Sequence, residues 1–104
     1  SWENDHGVAG VYSYPNESYV YLHNAQQTVE SLADAASILR RIFRDEIVAV
    51  TAYAKGQSAY CSLAEADAPS AGFGRMDGHS SSRDMPDVDY VTIENWSSGM
   101  VERD

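Results

Sequence analysis

Apolar residues come in short alternating runs at the start of the chain, then recur every three or four positions, and alternate again towards the end. Val8 to Tyr14 and Ser18 to His23 are rich in Tyr and Val. Pro15-Asn16-Glu17 between them is turn chemistry, so the two segments predict a β-hairpin. Tyrosines fall two apart in each strand. Side chains alternate along a strand, so Tyr12 and Tyr14 share one face, as do Tyr19 and Tyr21. Cross-strand packing is the plain reading of these four rings; a binding surface is the alternative, because tyrosine offers large contact area at low entropic cost.

From Thr28 the period changes. Val29, Leu32, Ala36, Leu39 and Phe43 lie three and four apart, with Ala33 and Ile42 widening the stripe, which predicts an amphipathic helix. Either Asn24, with Gln27 three residues on, or Thr28 can cap its start, and Arg40, Arg41 and Arg44 suit its negative end. Ile47 to Ala54 is apolar on both faces and reads as a central strand. Lys55-Gly56-Gln57-Ser58 turns the chain into a second hairpin ending at Ala59 to Ala64. A last strand is expected from Asp87 to Trp96.

The expected architecture is therefore one α+β domain over residues 1–104: a mostly antiparallel five-stranded sheet in the order ββαβββ, with the helix packed on one face. Residues 65–87, dense in Ala, Gly, Ser and Asp, are expected to form a long loop, a length that usually accompanies function or disorder.

Charge changes this picture most. Sixteen acidic against seven basic residues give a net charge of −9. Residues 1–39 hold five acids and no base, 40–64 two acids and four bases, and 65–104 nine acids and three bases. Such a surface repels phosphate backbones and anionic membranes, so neither nucleic acid nor membrane is an expected partner, whereas a basic protein is. No run reaches the ~20 apolar residues of a membrane-spanning helix, and the single cysteine, Cys61, rules out an internal disulfide. A cytoplasmic location is expected, and a homodimer is favoured because so small a domain leaves apolar surface to cover.

Motifs for chemistry are weak. Gly72-Phe73-Gly74-Arg75-Met76-Asp77-Gly78 lacks the strand before and helix after it that a phosphate-binding loop needs. Asp77, His79 and Asp84, with Asp87 and Asp89 near, match no cation-loop spacing, so no metal site is assigned. Cys61 reads as a small hydrophobe in a strand; a Cys61–His79 dyad needs the long loop to fold back over the second hairpin. No catalytic group and no cofactor is assigned.

Two function classes remain. In the favoured one the chain is an interaction module that neutralises a basic partner, as an inhibitor or immunity-type protein does, through Tyr12, Tyr14, Asp84, Asp87, Asp89 and Trp96. In the alternative it is a small-molecule-binding or enzymatic domain with a pocket between helix, sheet and the 65–87 loop, lined by Tyr53, Tyr60, Phe73 and Trp96, with Arg75 or His79 supplying polarity.

Overall fold

A computed structural model describes residues 1–68 and 89–103. The class is α+β: two antiparallel sheets and, among the described residues, a single helix packed between them. The elements are β1 (Trp2–Asn4), β2 (Gly7–Ser13), β3 (Ser18–Leu22), β4 (Ala25–Val29), α1 (Leu32–Phe43), β5 (Ile47–Ala54), β6 (Gln57–Glu65), β7 (Tyr90–Asn95) and β8 (Gly99–Arg103). All five strands read from the sequence are present, as β2, β3, β5, β6 and β7. With β1, β4 and β8 they make eight, and they divide into an N-terminal sheet ordered β1-β2-β3-β4 and a C-terminal sheet ordered β6-β5-β7-β8. Much of the expected 65–87 loop, from residue 69 on, lies outside the described residues.

The helix starts later than its periodicity predicts. Thr28 and Val29, placed in it by spacing, instead pair with Tyr19 and Ser18; both are β-branched and pack well on a pleated surface. Neither Asn24 nor Thr28 is the cap. Ser31 holds an extended backbone, and its Oγ accepts from the backbone N–H of Asp34 at 3.1 Å. Leu32 is consequently left 64% exposed, and Ala35, Leu39 and Ile42 form the buried stripe.

A Schellman-type cap ends the helix: Glu46 N–H donates to Arg41 C=O at 2.9 Å and Asp45 N–H to Ile42 C=O at 3.0 Å. It requires a left-handed residue, and Asp45 takes that role at φ 60°. Arg41 in the last turn donates to Glu65 on β6 and to Glu46. The hydrogen bonds to Glu65 and then Glu46 raise the guanidinium pKa above its ordinary value.

The main core lies where α1 meets the inner faces of both sheets. Ala9, Val20, Leu22, Ala25 and Val29 come from the N-terminal sheet, Ala35, Leu39 and Ile42 from α1, and Ile47, Ala49 and Leu63 from the C-terminal sheet. A second buried cluster, Val48, Val50 and Ala64 with Val91 and Ile93, occupies the other face of the C-terminal sheet, so β5 is buried on both sides, as a segment apolar on both faces predicts. Lys55 (φ 54°) and Gly56 (φ 78°) form the two-residue turn between β5 and β6.

Candidate functional site

Cross-strand register decides which side chains the N-terminal sheet presents away from the core. Tyr12 pairs with Tyr19 and Gly10 with Tyr21 across β2 and β3, while Tyr19 and Tyr21 pair with Thr28 and Gln26 of β4. Directly paired residues share a face. The outer face thus carries Tyr12, Tyr19 and Tyr21, bounded by Gln26 and Thr28; α1 covers the opposite one. Gly10 makes room on it: a Cβ there would lie 2.5 Å from the Tyr21 hydroxyl and 2.8 Å from Cζ, so the Tyr21 ring lies flat over the glycine.

Tyr12 stacks on Tyr21 at 4.7 Å between ring centroids, and Tyr14 meets Tyr19 edge-on at 6.0 Å. The four rings thus pack across the strands as two pairs. Their outer members, Tyr12 and Tyr14, stay 50% and 59% exposed.

The turn between β2 and β3 extends the same face by one pair. Tyr14 N–H donates to Glu17 C=O at 2.7 Å and Glu17 N–H to Tyr14 C=O at 3.4 Å, continuing the register beyond Ser13 and Ser18. Glu17 therefore stands beside Tyr14 on the tyrosine face, and its Oε2 accepts a hydrogen bond from the Tyr19 hydroxyl. Next to this turn an open hollow of about 510 Å³ is lined by Tyr14, Glu17, Ser18, Thr28 and Glu30 among others. An adjoining hollow of about 310 Å³ continues past Glu30 to Asp34 and Ile38 of α1. Neither is lined by a lysine or arginine, and none occurs before Arg40.

The other residues selected from sequence lie elsewhere. Asp89 caps the β5–β6 end of the C-terminal sheet, where its Oδ2 accepts from Lys55 N–H at 2.7 Å and its own N–H donates to Tyr53 C=O at 2.8 Å. Trp96 is at the opposite end of β7, half-buried against Phe43 at 5.1 Å, with Trp2 on Phe43 at 5.6 Å. Asp84 and Asp87 lie outside the described residues, as do Phe73, Arg75, Asp77 and His79. Tyr12 and Tyr14 are thus brought together, and Asp89 and Trp96 are not with them. Among the residues expected to line a pocket, Tyr53 is stacked on Tyr90 at 4.7 Å. Cys61 is half-buried beside the main core, consistent with a packing role.

Glu17 and Glu30 were missed in the sequence because Glu17 looks like ordinary turn polarity and Glu30 like an acid in the first turn of the predicted helix. Counting the hairpin register outward from Tyr12 and Tyr19 would have placed Glu17 opposite Tyr14.

Trp96 belongs to a polar and aromatic seam that joins the two sheets. Asn4 Nδ2 donates to Trp96 C=O at 2.7 Å, and His23 Nε2 lies 3.0 Å from Asn95 C=O. Ser97 N–H donates to Asp45 Oδ1 at 3.1 Å, with the Ser97 hydroxyl on Oδ2. Two glycines make the close approach possible. A Cβ on Gly7 would overlap the His23 ring, and one on Gly99 would lie 2.9 Å from His6 Nδ1.

Among the described residues no group of three or more His, Cys, Asp or Glu side chains could hold a metal ion, and no helix is long and apolar enough to cross a membrane. The chain matches no protein-family model, and no curated protein and no solved structure is similar enough to match it.

Proposed function

We propose that this chain is a small acidic interaction domain that binds and neutralises a basic protein, in the manner of an inhibitor or immunity-type protein. The observation that carries this reading is the N-terminal sheet: a solvent-facing tyrosine surface on a segment of chain that contains no lysine or arginine. Exposed tyrosines supply the large, stiff contact area of interface hot spots, and a one-signed field steers an oppositely charged partner to them. Tyr12 and Tyr14 are the central contacts in this reading, and the further acids Asp84, Asp87 and Asp89 add to the field. The single cysteine keeps a cytoplasmic setting part of the proposal.

The test has two stages. Immobilised protein is exposed to source lysate at low and at high salt, and whatever is retained is identified by mass spectrometry. The retained protein is then purified, and its association rate is measured against ionic strength with the natural chain and with Tyr12→Ala and Tyr14→Ala. The reading requires a basic protein whose association slows steeply with salt and whose complex dissociates faster with either variant. A partner indifferent to salt and to both tyrosines refutes it.

A further inference from the structure

We infer that the hollow beside the β2–β3 turn is an arginine-binding site, taking a guanidinium from the basic partner between the Tyr14 ring and the carboxylates of Glu17 and Glu30. This deepens the interaction reading above and rests on it for the identity of the partner. Three observations converge on guanidinium. Tyr14 and Glu17 are a backbone-paired couple on one face, bonded to each other in both directions across a closed turn, so an aromatic ring and a carboxylate are held side by side. The Tyr19 hydroxyl occupies Oε2 of Glu17, which fixes the carboxylate, while Oε1 has no hydrogen-bond partner among the described residues. Glu30 lines the same hollow of about 510 Å³.

Glu46 and Glu65 share the ion pairs made by Arg41, whereas Glu17 and Glu30, like Asp34 and Glu94, have no ion pair among the described residues. No lysine or arginine occurs within the first 39 residues of the chain. A guanidinium fits this arrangement better than an ammonium does, because its flat face stacks on a phenol ring while its N–H fork meets carboxylate oxygens lying in the guanidinium's own plane.

The probe is a capped Gly-Arg-Gly peptide titrated into the isotope-labelled full chain and followed by amide chemical shifts, with Gly-Lys-Gly and Gly-citrulline-Gly as controls. Saturable shifts are expected at Tyr14, Glu17, Thr28 and Glu30. The lysine peptide should bind several-fold more weakly and citrulline should give no response. Glu17→Gln and Tyr14→Leu, both at exposed positions, should each weaken arginine binding about tenfold while leaving the shifts of core amides such as Ile42 and Leu63 unchanged.

Equal affinity for lysine and arginine, unchanged affinity in both variants, or shifts centred on the acids around Arg41 would overturn the site. So would concentration-dependent shifts at these residues without peptide, which would make a second copy the occupant. The captured basic partner separates the two proposals. If it binds Glu17→Gln as tightly as the natural chain, the arginine site is wrong and the interaction reading stands. If the peptide occupies the hollow but no basic protein is captured, the site stands and the partner reading fails.

Discussion

Replacing Gly7 by alanine puts a methyl group where the ring of His23 already lies. The added Cβ would overlap Nδ1 and lie 2.5 Å from Cε1, so the imidazole must move. That ring has its Nε2 3.0 Å from Asn95 C=O, one of the ties between the two sheets, and its Nδ1 is buried without a partner among the described residues. Three contributions set the magnitude. Overpacking costs about 1–3 kcal/mol. Loss of the bond to Asn95 adds about 1 kcal/mol. The smaller backbone freedom of alanine in the unfolded chain returns about 0.5–1 kcal/mol.

The net expectation is a destabilisation of about 2 kcal/mol, or a fall in Tm of roughly 8 °C or more for a domain of this size. Urea unfolding and a thermal scan measure it. His23→Ala alone should cost less, and in the double variant the alanine at position 7 should become nearly harmless, because the ring it strikes is gone. The cycle should therefore show a coupling of at least about 1 kcal/mol. Additive single and double variants, or a Gly7→Ala protein within about 0.5 kcal/mol of the natural one, would show that His23 does not hold the seam in this way.

Other positions give independent checks. Ile42→Ala removes the fully buried centre of the helix stripe and should cost about 2–5 kcal/mol by chemical denaturation. Ser31→Ala should cost about 1 kcal/mol, with amide exchange quickening at Asp34, if Ser31 and neither Asn24 nor Thr28 is the cap. Asp45→Ala combines left-handed backbone strain with loss of both bonds to Ser97, for about 2 kcal/mol, and Asp45→Asn should retain more than half of the difference. Lys55→Asn improves the two-residue turn and should raise Tm slightly, a gain of about 0.5 kcal/mol.

Strong local pattern made part of the fold legible. The run Ile47 to Ala52, apolar on both faces but for Thr51, announces a strand buried on both faces, and the stripe through Leu39 and Ile42 announces a helix. The boundary at Thr28–Val29 misled because Val29, at the end of a strand, continued the helical spacing by chance, and tertiary pairing with β3 overrode it. β1 and β8 are short, with Trp2, Met100 and Val101 exposed, and they exist because neighbours offer hydrogen bonds. The division into two sheets was illegible, since local pattern does not show that β4 and β5, on either side of α1, pair into different sheets. Gly7 and Gly99, at strand ends, were the available hint of close approach. The pairs Tyr12/Tyr14 and Tyr19/Tyr21 exposed half of the candidate surface, and the carboxylates beside it needed the register.

The seam also sets a timetable for folding. Its ties join residues 92, 72 and 52 positions apart in sequence, whereas β2, β3 and β4 meet through adjacent hairpins. Local hairpins close in about 1–10 μs, while distant contacts must first overcome the entropy of a long loop. A nascent chain can therefore assemble its tyrosine-bearing hairpins early, yet it cannot close the seam until Trp96 and Ser97 have left the ribosome. Until then Trp2 and Phe43 lack Trp96, and the unsealed edge is the surface a chaperone would meet.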